Sequence, residues 1–213
     1  MKIVHIITGL GDGGAENTLY KICKYDYSNK HIVISLKGRG KYYSLLSSLG
    51  VKVYCLNLNI LSLYKFFFLV NLLRSIKPDI VQTWLVIADF VGSIASRLAG
   101  IKNIVWNIRY SNIEIKKVKI FNFIILRLLV NLSFILPKSI VIVSKKAAKF
   151  YVKKGYDKNK LKFIPNGYDI RDSGNNEFKK FNNIKKKKIH IGYVARYDQL
   201  KDHSNLLNAL SLI

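Results

Sequence analysis

Short apolar runs alternate with longer amphipathic stretches along this chain. Runs at 2–8, 31–36 ("HIVISL"), 51–56 ("VKVYCL"), 79–83 ("DIVQT"), 103–107 ("NIVWN"), 139–143 ("SIVIV") and 161–164 ("LKFI") are β-rich and too short for helices, so they predict strands. The stretches between them predict helices. Residues 86–99 are the clearest case: Ile87, Phe90, Val91, Ile94, Ala95 and Leu98 recur at three- and four-residue steps, one face of a helix. Gly100 follows in the position where helices stop. Continuous apolar strands separated by helices predict an α/β, Rossmann-like parallel sheet with helices on both faces. No short-period repeat interrupts the alternation.

From Pro165 to about Lys188 the pattern dissolves into Asn, Lys, Gly and Asp. This predicts an interdomain linker, with Lys185–Lys188 as a solvated hinge. Beyond it, "KIHIGYVAR" predicts a strand and "HSNLLNALSLI" the start of a helix. One strand and one helix cannot bury a core. The expected organisation is a complete domain at 1–165, a linker at 166–187 and the incomplete beginning of a second domain at 188–213.

Two segments raise the question of a membrane. "IFNFIILRLLVNLSFILP" (Ile120–Pro137) approaches spanning length but carries Arg127 and two asparagines and stops at a proline. "LSLYKFFFLVNLLRSIK" (61–77) sets Lys65, Arg74 and Lys77 among apolar residues. Both read as buried or interfacial helices rather than spans. Residues 1–8 are too short, and wrongly flanked, for a signal peptide.

Composition adds a charge problem. Among 213 residues, 36 Lys and Arg face 12 Asp and Glu, a formal net charge of +24. Nucleic acid, an anionic membrane with phosphate-bearing substrates, and a Lys-, Asn- and Ile-rich codon bias are the competing causes. Bias alone does not suppress acids this far, so an anionic partner is expected. A nucleic-acid binder would interleave aromatic and basic residues on a stripe, and no such motif is present. Cys23 and Cys55 have neither metal-ligand spacing nor a catalytic partner nearby, and read as free thiols.

The loop after the first strand, "GLGDGGAEN", places Gly9, Gly11 and Gly14 at G-x-G-x-x-G spacing ahead of a helix. Such a loop brings a backbone and a helix N-terminus up to a phosphate. A dinucleotide site also wants an acid at the end of the second strand for the ribose hydroxyls. That strand ends in "SLKGRGK", with Lys37 and Arg39 and no acid. An NADP-dependent oxidoreductase stays open as the alternative, since basic residues accept a 2′-phosphate.

Four segments carry a more specific signal: "GGAE" (Gly13–Glu16), "KPDIVQTWLVIADFVGSIASRLAG" (Lys77–Gly100), "IPNGYD" (Ile164–Asp169) and "GYVARYDQLKDHSNLLNAL" (Gly192–Leu210). In this order and at these separations the chain resembles glycosyltransferase family 4 enzymes of the GT-B fold. The resemblance covers the whole chain. It implies the acceptor-side domain followed by the first elements of the donor-side domain. The complete enzyme would move a sugar from a nucleotide-diphosphate donor to a lipid-linked or polysaccharide acceptor in surface-polysaccharide synthesis. Configuration would be retained, and neither metal nor cofactor would be needed. The resemblance also implies a cytoplasmic enzyme lying on the inner face of the cell membrane.

The resemblance assigns roles by position. Arg196 and Lys201 match the family's cations on the donor diphosphate, where a planar fork and a point charge both suit phosphate oxygens. Gly13 and Gly14 let the acceptor-side backbone approach the diphosphate or acceptor, and Glu16 sits in the first helical turn, where a carboxylate suits the dipole. The carboxyl ends of the strands form the cleft in such sheets. That singles out Gln82, Thr83 and Trp84 after the fourth strand, and Asn107, Arg109 and Tyr110 after the fifth. Trp84 is a candidate to stack on a sugar ring, and Arg109 is a cation with no core role. Asn166, Gly167 and Asp169 match the family's "NG-x-D" turn at the domain crossing. The family's paired donor-side glutamates have no counterpart, so no catalytic residue is identified and the chain is expected to be truncated and inactive alone.

Overall fold

The computed structural model describes residues 1–58, 63–109, 120–167, 191–195, 197 and 201–212. Chain contacts divide it into two compact units, Met1–Gly167 and Tyr168–Ile213.

In the first unit, strands β1 (Lys2–Ile7), β2 (Lys30–Ser35), β3 (Lys52–Cys55), β4 (Ile80–Trp84), β5 (Ile104–Ile108), β6 (Ser139–Ile142) and β7 (Leu161–Phe163) form one sheet. Its order is β3-β2-β1-β4-β5-β6-β7, and every neighbouring pair is parallel. The order reverses between β1 and β4, the switch point at which clefts open in doubly wound sheets. Between the strands run α1 (Gly14–Tyr25), α2 (Lys41–Ser48), α3 (Leu63–Ile76), α4 (Val86–Leu98), α5 (Ile120–Leu132) and α6 (Lys145–Lys153).

Alternation along each strand sorts the core into two layers. Val4, Ile6, Ile32, Ile34 and Val81 pack on α3 and α4, and Ile104, Trp106, Ile140 and Ile142 on α5 and α6. On the opposite face Ile7, Val33 and Trp84 pack on α1 and α2. Gly100, with φ +85°, ends α4 as its position in the sequence predicts.

The sheet-facing stripe of α4 differs from the expected one. Its buried residues are Ala88, Asp89, Gly92, Ser93, Ala95 and Ser96, while Leu98 is exposed. Ile87 and Val91 pack sideways into the α3 layer, and Phe90 and Ile94 into the α5 layer. The reason is distance. A Cβ on Gly92 would stand 3.0 Å from Thr83 Cγ2 and 3.2 Å from Ile6, so only small residues fit between helix and sheet.

In the second unit, α7 (His203–Leu210) forms where a helix is expected. Residues 191–195 are not in a strand, against the expectation for "KIHIGYVAR". A strand exists only through pairing, and among the described residues nothing pairs with this one.

Candidate functional site

The cleft edge is built from the carboxyl ends of the strands. One register row crosses the sheet through Ser35, Ile7, Trp84, Asn107, Val141 and Lys162, on β2, β1, β4, β5, β6 and β7. Arg109 stands two residues beyond Asn107, above the row. Its guanidinium lies over the Trp84 ring, 4.9 Å from the centroid, and Nη1 donates to Asn166 Oδ1. The site therefore joins the ends of β4, β5 and β7. Burial draws the Arg109 pKa down from 12.5 to about 10, which leaves it charged at neutral pH. Among the described residues no carboxylate pairs with it. Its buried Nε and the buried Asn107 Oδ1 have no hydrogen-bond partner there.

Trp84 does not present a face to a ligand. It ends β4 rather than following it, its exposure is 0%, and its indole N–H donates to His5 Nδ1 at 3.3 Å. Stacking on a sugar is thereby excluded, and the ring is the platform under Arg109. Gln82 and Thr83 also lie inside β4, and Thr83 turns to the opposite face, donating through Oγ1 to Asp89 at 2.6 Å. Asn107 lies within β5 at 1% exposure. Asn166 and Gly167 are exposed. Tyr110, Asp169 and Arg196 lie outside the described residues.

The glycine loop opens α1. Gly13 is the N-cap, in ordinary extended backbone (φ −133°), with no side-chain cap bond. The Glu16 carboxylate folds back over Gly13, and a Cβ on Gly14 would meet nothing within 4 Å. Neither backbone angle nor packing demands glycine there. The position that does demand it is Gly40, where a Cβ would stand 2.2 Å from the Leu10 carbonyl oxygen. That contact, the Tyr42 N–H bonded to the same oxygen at 3.1 Å and the Lys41–Asp12 pair at 2.9 Å hold the loop against α2.

Sequence reasoning missed two further features. Leu85, between β4 and α4, has φ +73° and ψ 156°, a region that side-chain-bearing residues almost never occupy. It turns the chain from strand into helix beside Trp84, and no glycine marked it. Asp89 is 3% exposed in the first turn of α4, and burial raises its pKa to about 8. Among the described residues, Lys201 is exposed in the second unit, where the Tyr193 hydroxyl donates to its carbonyl oxygen. The His203 ring contacts Tyr193 and Tyr197.

Structural relatives share the fold. HepE of Anabaena, solved with UDP, matches with a TM-score of 0.68 and 23% identity over 80% of this chain and 45% of that one. The lipopolysaccharide outer core galactosyltransferase WaaB matches with a TM-score of 0.58 and 16% identity, over 80% and 47%. MurG of Acinetobacter baumannii matches at 0.54 and 12%, over 81% and 47%. The sheet and its helices thus have the fold of the N-terminal half of GT-B glycosyltransferases, and the chain spans just under half the length of these relatives. The Glycosyltransferase Family 4 model matches residues 12–172, and the chain belongs to that family. No curated protein matches it in sequence. Membership selects the glycosyltransferase class over the NADP-dependent oxidoreductase.

Proposed function

We propose that this chain supplies the acceptor-side half of a retaining glycosyltransferase. The enzyme would move a sugar from a nucleoside-diphosphate donor to a lipid-linked or polysaccharide acceptor at an anionic membrane surface. The observation that carries the acceptor assignment is the Arg109 cluster. A partly buried guanidinium held over Trp84, with its Nε and the adjacent Asn107 Oδ1 unpartnered among the described residues, is a polar site in want of a ligand. Arg109 would hold an anionic or hydroxyl-bearing acceptor group, with Asn107 buried two residues before it on β5. Asn166, three residues beyond β7, fixes the guanidinium from the other side. The open space at Gly14 gives the donor phosphates or the acceptor room beside the N–H groups of α1, while the Glu16 carboxylate occupies the space at Gly13.

Donor phosphate is assigned to Lys201 and Arg196. Charge grows on the leaving diphosphate, and fixed cations there stabilise the transition state more than the ground state. In this reading 166–187 is the linker and 188–213 the start of the donor-side domain. No metal or cofactor takes part.

Peripheral attachment is supported by two apolar faces. Leu63, Tyr64, Phe67 and Phe68 on α3, and Ile124 and Leu128 on α5, are exposed next to Lys65, Arg74 and Arg127. Among the described residues no helix is long and apolar enough to cross a membrane. These helices would lie in the headgroup region, with their cations on lipid phosphate.

Calorimetry of the 213-residue chain with UDP, UDP-glucose and GDP-mannose tests the donor assignment. The expected result is weak saturable binding that Lys201→Ala and Arg196→Ala each reduce about ten- to a hundredfold, the effect of losing a charge-assisted contact. Binding that neither variant changes overturns the assignment. A product assay on the same chain is expected to show no transfer, and measurable turnover would put the active site inside these residues.

A further inference from the structure

Beneath the Arg109 site lies a buried polar chain for which the proposed reaction has no use. His5 on β1 and His31 on β2 are 1% and 8% exposed, with His5 Nε2 2.9 Å from His31 Nδ1. Hydrogen bonding orders the protons along this chain, with Gln82 as a further side-chain partner of His5. The Trp84 indole can only donate, so His5 Nδ1 must accept and the His5 proton sits on Nε2. That proton is donated to His31 Nδ1, which leaves the His31 proton on Nε2. There it lies 3.2 Å from Asp26 Oδ2, at ion-pair distance but without hydrogen-bond alignment. Burial, and then the neighbouring His31, hold the His5 pKa down to about 3, so it stays neutral and able to accept.

We propose that His5, backed by His31, is a positioning residue for Arg109. By accepting the indole N–H it fixes the plane of Trp84, and that plane fixes the guanidinium stacked on it. The functional meaning rests on reading Arg109 as a ligand contact, but the geometry and its test do not. The alternative occupant of this cluster is a metal ion. His5, Cys23 and His31 are all buried, with ligand atoms within 4.8 Å of one another. The tautomers argue against it. A metal on His5 Nε2 would move the proton to Nδ1, against the indole N–H.

The test is the rate at which phenylglyoxal modifies Arg109, read by mass spectrometry on the full 213-residue chain. Arg74 and Arg97, which donate to the carbonyl oxygens of Leu98 and of Ile135 and Leu136, serve as internal references. His5→Phe should speed Arg109 modification about three- to thirtyfold against those references, the factor that losing a cation–π contact corresponds to. His5→Asn, whose side-chain oxygen stands where Nδ1 does, should restore the slow rate. If His5→Phe does not fold, His31→Leu removes only the outer acceptor and should give a smaller rise in the same direction. An unchanged Arg109 rate in the folded variant overturns the proposal. So does stoichiometric zinc in the purified chain that Cys23→Ser removes.

Discussion

Asp89→Asn should make this protein more stable at neutral pH, although it removes a buried, hydrogen-bonded carboxyl group. Asp89 lies between α4 and the sheet with its pKa raised from 3.8 to about 8 by burial, an effect that the Thr83 hydroxyl opposes. The folded protein therefore keeps the proton that the unfolded chain gives up. In the neutral acid Asp89 Oδ1 still accepts from the Thr83 hydroxyl at 2.6 Å. Below about pH 4 both states are protonated and there is no penalty. Between about pH 4 and 8 only the native state holds the proton, so stability falls as pH rises; above pH 8 the loss is complete and flat. At about 1.4 kcal/mol for each pH unit, the penalty at pH 7 is about 4 kcal/mol.

Asparagine copies the neutral acid in shape, and its Oδ1 can accept from the Thr83 hydroxyl as Asp89 Oδ1 does. Burying an incompletely paired amide takes back about 1–2 kcal/mol, leaving a net gain of about 2–3 kcal/mol at pH 7. Urea unfolding followed by tryptophan fluorescence at pH 4, 5.5, 7 and 8 measures it. The wild type should lose about 3 kcal/mol more than Asp89→Asn between pH 5 and 7.5, and the two should cross at about pH 5, with the variant the less stable at pH 4. A variant less stable at every pH, or a pH slope identical to the wild type's, would refute the reasoning.

Three further outcomes are expected. Gly40→Ala drives a methyl into the Leu10 carbonyl oxygen and should destabilise by about 1–3 kcal/mol in thermal unfolding; an unchanged melting temperature would mean the glycine loop is not held by that contact. Leu85→Gly and Leu85→Ala lose nearly the same side chain, but only glycine relieves the strain of φ +73°, so the glycine variant should be the more stable by about 1–3 kcal/mol; the opposite order would remove strain from the account. The double variant Phe67→Ser, Ile124→Ser should weaken co-sedimentation with anionic vesicles at low salt, while high salt should weaken the wild type; equal pelleting with neutral and anionic lipid would remove the electrostatic part.

The five inner strands were legible because parallel strands buried on both faces leave near-continuous apolar runs, the more exposed edge strands β3 and β7 because their short β-rich runs fit no helix, and Gly100 because a helix stop needs a residue that accepts positive φ. The buried stripe of α4 was not. Hydrophobicity marks the residues with the most surface to hide, and on this helix those fill the sides, while the face against the sheet is chosen for size. Trp84 was placed one position too far along, which made a core residue look like a cleft residue. His5 and His31 alternate inward in plain sight, but nothing in one strand's sequence says which residue of the next strand lies opposite; parallel register supplied that. Leu85 gave no signal, since strain is visible only in the backbone.

Arg109 shows what the sequence and the structure each contribute to the site. A lone cation after a strand is easy to notice, and in a chain of charge +24 it means little by itself. What distinguishes it is how it is held. Most buried arginines face a carboxylate, which fixes the side chain and also neutralises it. Arg109 is fixed by an indole face and an amide oxygen, neither of which carries charge. Such a mount keeps the guanidinium's orientation while leaving its field uncancelled at the cleft edge. The uncharged mount in turn requires a tryptophan whose plane does not rock, and that makes the neutral, acceptor-only state of His5 Nδ1 a condition of the site rather than a detail of the core.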